Sequence, residues 1–196
     1  QGSAYYTLFK GEVEIGLMNR MGYDCSTIGN HEFDFGMDVF LDLANKHAEY
    51  SYVSCNFINL KTGETVFPPY ILKDFGGRLV AFVGVSTPES YTKSTPSYFQ
   101  DLNGNDIYGF CEGNDGQNLY DCVQKAIDDA VKEGADYVIG VGHLGTDPTS
   151  SPWTSVEVIA NTTGFSAFLD GHSHSLIEGQ CVKDKDDNDV VLCSTG

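Results

Sequence analysis

Positive charge is scarce in this chain. Lys and Arg together number 11 of 196 residues against 28 Asp and Glu, which leaves a formal net charge of −17. Arginine stands only at Arg20 and Arg78. So acidic a chain repels phosphate backbones and anionic lipid heads, which excludes a nucleic-acid or membrane-surface binder that works through a basic patch. No apolar run approaches the ~20 residues that cross a bilayer. The six cysteines include no C-x-x-C pair, so zinc-ribbon and thioredoxin-like motifs are absent. Cys25 and Cys55 lie in apolar, strand-like runs and read as small buried hydrophobes. Cys181 and Cys193 flank a hairpin and are candidates to face each other across it. The cysteine count leaves the redox compartment open.

What is present is enough apolar material for a sizeable core. Hydrophobic residues make up 41% of the chain and aromatics 12%, which fits one domain over residues 1–196. Residues 6–21 read as a helix, because Tyr6, Phe9, Val13, Leu17 and Met21 recur at three- or four-residue steps. Gly16 weakens that helix and Gly22 ends it. A strand over 24–28 leads into the loop Gly29-Asn30-His31-Glu32-Phe33-Asp34-Phe35-Gly36. A helix over 37–47 and a strand over 52–55 follow. Strands over 70–75 and 79–85 form a hairpin around Gly76-Gly77. Residues 87–116 make a long loop rich in Gly, Asn, Ser and Tyr, of the kind that carries function or covers something.

A helix over 117–133 carries Leu119, Val123, Ile127, Ala130 and Val131 on its apolar face. A strand over 137–141 then runs into Gly142-His143. After a short helix over 156–160, a strand over 165–169 runs into Asp170-Gly171-His172-Ser173-His174. The chain closes on a hairpin that pairs 180–183 with 190–193. The acidic stretch 184–189 has the spacing of the start of a calcium loop. It lacks Gly at the sixth position and Glu at the twelfth, so it reads as a solvated turn. Strands that alternate with helices, plus two hairpins, predict an α/β architecture with antiparallel additions.

Four of the five histidines follow apolar, β-prone runs by a few residues. They are His31, His143, His172 and His174; His47 sits between charged neighbours at a helix end and reads as solvated. In open α/β sheets, ligands bind just beyond the carboxyl ends of strands. Three strands therefore deliver imidazoles to one rim, and Asn30 adds an amide oxygen beside His31. Neutral imidazoles with carboxylate or amide oxygens are metal donors. Gly29, Gly142 and Gly171 precede these donors and permit sharp turns and close approach. Asp34, three residues past His31, is placed to fix that imidazole's tautomer.

These blocks resemble those of a known family. Gly29-Asn30-His31-Glu32, Gly142-His143 after an apolar strand, and Gly171-His172-Ser173-His174 are similar to signature blocks of the calcineurin-like metallophosphoesterases. The longer loop GNHEFDFG resembles the 5′-nucleotidase, 2′,3′-cyclic-nucleotide phosphodiesterase and UDP-sugar hydrolase branch, as do Gln1-Gly2-Ser3 and Ser194-Thr195-Gly196. The resemblance implies a four-layer α-β-β-α sandwich of two mixed sheets. It implies two divalent metals (Zn, Mn, Fe or Co), with Asn30, His143 and His172 on one and His174 on the other. His31, oriented by Asp34, would act on the scissile phosphate and not on metal. A small nucleotide or related phosphate ester would be the substrate, and the location extracytoplasmic. A broader phosphatase, a thiosulfate-ester hydrolase and a non-catalytic binding relative are the alternatives.

The family also carries an Asp-x-His and a Gly-Asp block upstream. This chain has no Gly-Asp, and its one Asp-x-His is Asp170-Gly171-His172. The resemblance therefore implies a domain incomplete at its N-terminus, with a nucleobase-binding domain expected beyond its C-terminus. It implies that this chain alone is inactive.

Overall fold

The computed structural model describes residues 3–195. Gln1, Gly2 and Gly196 of the terminal blocks lie outside the described residues. The chain opens with two helices, α1 (Ala4–Phe9) and α2 (Glu12–Met21), where the apolar periodicity predicts one. Gly16 is tolerated inside α2, and the break comes at Lys10 and Gly11, both at left-handed φ of 57° and 107°. Glycine adopts that conformation at no steric cost, so the helix is cut there. Ser3 caps α1 by accepting from the Tyr6 N–H at 3.1 Å.

The elements that follow are β1 (Cys25–Thr27), α3 (Met37–His47), β2 (Ser51–Val53), β3 (Ile58–Asn59), β4 (Glu64–Thr65), β5 (Tyr70–Asp74) and β6 (Leu79–Ser86). The long loop contains α4 (Ser90–Lys93) and β7 (Tyr108–Gly109). Then come α5 (Gln117–Lys132), β8 (Tyr137–His143), α6 (Ser155–Asn161), β9 (Ala167–Asp170), β10 (Ile177–Lys183) and β11 (Asp189–Ser194).

Six strands form a mixed sheet in the order β10-β11-β9-β8-β6-β5. Its central four run parallel, and β5 and β10 pair antiparallel at the edges. A second sheet holds β1 and β2 in parallel, and β4-β3-β7 make a small antiparallel sheet. Helix α5 turns Leu119, Val123 and Ile127 onto Ala81, Val83, Val138 and Phe168 of the large sheet. Val131 stays exposed. On the other side, Ile15 of α2 and Phe40 of α3 pack with Ile28, Tyr52 and a set of phenylalanines around the β1–β2 sheet. The layers therefore run helix, sheet, sheet, helix.

The two sheets meet at backbone distance. The Cys55 N–H donates to the Gly84 carbonyl at 2.8 Å, and a Cβ on Gly84 would lie 2.1 Å from the Val53 oxygen. In the closing hairpin, Cys181 stands opposite Val191, and the Cys193 thiol donates to the Glu178 carbonyl at 3.4 Å. The two cysteines are thus offset along the ladder, not opposed. The 184–189 stretch is a hairpin turn: Asp184 Oδ1 accepts the N–H groups of Asp186 and Asn188 at 2.9 and 2.8 Å.

Two glycine substitutions separate packing from propensity. Gly84→Ala drives a methyl into backbone that cannot yield and is expected to cost at least about 1–3 kcal/mol. Gly16→Ala meets nothing within 4 Å and is expected to add about 0.5–1 kcal/mol in the helix interior. Urea denaturation midpoints of the two variants check the opposite signs.

Candidate active site

The strand register brings the candidate residues to one edge. Within the large sheet, Ser86 at the end of β6 pairs with His143 at the end of β8. The neighbouring β9 ends at Asp170, two residues before His172. From the two-stranded sheet, β1 ends at Thr27, and Asn30 opens a short 3-10 turn over Asn30–Phe33. That turn is anchored from below. Glu32 is buried and its carboxylate accepts the Gly29 N–H at 2.6 Å. Burial pushes the Glu32 carboxyl up. The Phe33 ring sits among Phe40, Phe57, Phe99 and Phe110 at centroid distances of 5.6, 5.4, 5.0 and 5.8 Å.

Two of the three glycines beside the donors are sterically required. A Cβ on Gly29 would lie 2.7 Å from His143 Nε2, so the imidazole packs flat against glycine backbone. One on Gly142 would lie 2.3 Å from the Phe168 ring. Gly171 is not so constrained, since a Cβ there would make ordinary contact with His143 Nδ1 at 3.5 Å.

Asn30, His143 and His172 converge. Asn30 Oδ1 lies 3.1 Å from His143 Nε2, and His172 Nδ1 lies 3.2 Å from the same nitrogen. Burial first, then the neighbouring His172, pushes the His143 imidazole down to about 3, with His31 and His174 adding to the effect. His143 is therefore neutral at ordinary pH. His172 and His174 hold left-handed φ of 83° and 51°. Such backbone is uncommon for residues with side chains and clusters at functional sites. His174 is exposed and makes no hydrogen bond to the other three among the described residues. His31 is also exposed, and its Nδ1 lies 2.8 Å from Asp34 Oδ2.

The structure adds a residue that the sequence reading passed over. Glu89 Oε2 lies 3.0 Å from His172 Nε2 and accepts from the Ser150 hydroxyl at 2.7 Å. It follows the apolar run of β6 by three residues, the same signal that marked the histidines. In the sequence, Asp170 is one residue of the Asp170-Gly171-His172 motif. Its Oδ1 accepts the Leu144 N–H at 2.9 Å and so fixes the backbone just past His143.

Among the described residues, no three His, Cys, Asp or Glu side chains are gathered as a metal ion would need. The third donor beside the two imidazoles is the amide oxygen of Asn30. A proton on His143 Nε2 can serve Asn30 or His172 but not both. Asn30 Oδ1 and His172 Nδ1 both lie against His143 Nε2, and an amide oxygen with two imidazole nitrogens is a donor set of the kind that suits a cation.

No family model matches the chain. It is 27% identical over 205 residues to a 2',3'-cyclic-nucleotide 2'-phosphodiesterase/3'-nucleotidase of Haemophilus influenzae, covering 97% of this chain and 29% of the relative. It is 26% identical over 222 residues to the trifunctional nucleotide phosphoesterase protein YfkN of Bacillus subtilis, covering 97% of this chain and 14% of that protein. The solved structure of the calcineurin-like phosphoesterase YfkN from Bacillus subtilis superposes with a TM-score of 0.73 at 22% identity, covering all of this chain and 65% of the other. The chain therefore shares the fold of that calcineurin-like phosphoesterase. The chain spans less than a third of the length of either curated relative.

The packing of the imidazole against Gly29 is directly testable. Gly29→Ala is expected to displace the His143 ring and shift its imidazole resonances in NMR spectra. Gly171→Ala is expected to leave them at wild-type positions.

Proposed function

We propose that the protein hydrolyses phosphate esters of nucleotides at the rim where Asn30, His143 and His172 meet. In this reading Asn30 Oδ1, His143 Nε2 and His172 Nδ1 hold one divalent metal, and His174 contributes to a second. The observation that carries it is the approach of Asn30 Oδ1 and His172 Nδ1 to within 3.1 and 3.2 Å of His143 Nε2. Burial keeps His143 in the neutral form that binds metals. Mixed nitrogen and oxygen donors suit Zn, Mn, Fe or Co. When bound, such cations lower the pKa of water, offset charge on phosphoryl oxygens, and reverse the local field of a protein at −17.

The chain's own residues orient the groups that act. Asp34 accepts the His31 Nδ1–H, which leaves Nε2 as the atom that hands a proton to the leaving oxygen. Glu89 accepts the His172 Nε2–H, which leaves the Nδ1 lone pair toward His143. A carboxylate behind a ligating imidazole fixes its tautomer and raises its basicity. Both curated relatives are named for nucleotide esters, which supports that substrate class here. The same kinship supports an extracytoplasmic location. No helix among the described residues is long and apolar enough to cross a membrane.

Three experiments test this reading. In an active protein carrying this chain, His31→Ala is expected to lower kcat by ~10²–10⁴-fold while metal content stays at the wild-type level. Asp34→Asn is expected to show a milder loss. Metal depletion in His31→Ala equal to that in His143→Ala would overturn the assignment. Glu89→Gln is expected to weaken metal affinity by ~10–100-fold in isothermal titration, with an unchanged circular dichroism spectrum. Titrated alone, the 196-residue chain is expected to take up one Zn²⁺ or Mn²⁺ weakly and to show no turnover. The three gathered donors serve one ion, and His174 is a single ligand for another. Two tight sites with activity would refute the ligand assignment.

A further inference from the structure

Three cysteines meet away from the catalytic rim. Cys55 is buried just past β2, Cys111 lies between β7 and α5, and Cys122 stands in the second turn of α5. The thiol sulfurs of Cys111 and Cys122 are 2.6 Å apart, closer than two unbonded sulfurs rest.

The backbone around Cys111 supplies a second, independent observation. Cys111, Gly113, Asn114, Asp115 and Gly116 all hold left-handed φ, at 56°, 97°, 54°, 50° and 88°. Asn114 and Asp115 are residue types that tolerate this region, whereas Cys111 is not, and a cysteine held there persists only where its surroundings over-determine it. Gly116 donates to the Gly113 carbonyl at 3.1 Å, Gln117 to the Asn114 carbonyl, the Asn118 side chain to the Glu112 carbonyl at 3.0 Å, and the Phe110 N–H to Glu112 Oε2 at 2.7 Å; none of these bonds holds Cys111 itself. A covalent tie to α5 would hold it.

We propose that Cys111 and Cys122 form a disulfide that crosslinks the segment after β7 to the start of α5. Cys122 lines an open surface groove together with Cys55, Pro69 and Lys125, which gives an oxidant access. The oxidant is a disulfide, either a small molecule such as oxidised glutathione or an oxidoreductase. The Cys122 thiolate attacks one of its sulfurs and releases the first thiol. The Cys111 thiolate then displaces the second from the mixed disulfide. Two protein thiols and one external disulfide thus become one protein disulfide and two external thiols, with electrons and protons balanced. Cys55 faces the same groove but is fully enclosed, and burial pushes its thiol up and away from the reactive thiolate.

The full 196-residue chain is incubated with oxidised glutathione, then alkylated and mapped by mass spectrometry without reduction. The expected result is a fall in alkylatable thiols from six to four and a single crosslinked peptide pair joining Cys111 to Cys122. The oxidised chain is expected to melt several degrees above the reduced one, and Cys55→Ser to retain both effects. Six alkylatable thiols, or a crosslink that joins Cys122 to Cys55 or Cys181 to Cys193, overturns the proposal. Peptide mapping of the wild type decides the matter even if Cys111→Ser or Cys122→Ser does not fold.

Discussion

Asn30 comes from one sheet and His143 from the other, so the site depends on two sheets packed at backbone contact. That contact is possible only where side chains are missing. Gly84 lets β6 lie against Val53, and Gly29 lets the imidazole of His143 lie on the main chain. The consequence is a short chain of forced placements. Glu32 holds the Gly29 N–H, the following turn presents Asn30, and Asn30 meets an imidazole fixed at the end of β8. Removing the sheet contact would leave each residue in place on its own strand with nothing across from it.

Charge makes the same demand in a different form. An acidic chain attracts no phosphate ester by itself, and its two arginines are far too few to line a binding site. In the proposed reading, the positive field at the rim comes from cations held by neutral imidazoles and an amide oxygen. Burial helps here, since the His143 imidazole is kept neutral and free to donate its lone pair. On that proposal, the protein combines a repulsive acidic surface with a rim whose charge is set by what it holds.

Much of this was legible in the residues. The helical period of 117–133 and the strand that runs into Gly142-His143 needed no tertiary information, because one apolar face or one apolar run dominates each. The residues of the rim were marked by their position just past strand ends. Glu89 follows the same rule but was hidden in a long polar loop, where a carboxylate is indistinguishable from a solvated one. The split between α1 and α2 escaped because apolar spacing continues through Gly11, and only the backbone dihedral reveals the break. The close approach of Cys111 and Cys122 lay beyond local reading. One is on an irregular segment and the other on a helix, so no period or ladder relates them.

Phe33 shares its single turn with Asn30 and His31, and its ring is wedged among four other phenylalanines. Those rings come from α3, from the turn after β2, and from the long loop. The hydrophobic interior and the candidate site are therefore built on one turn, with no flexible spacer between them. A change of ring size in the aromatic cluster therefore bears on the turn that carries Asn30 and His31, so packing of the interior and placement of the candidate site share one constraint.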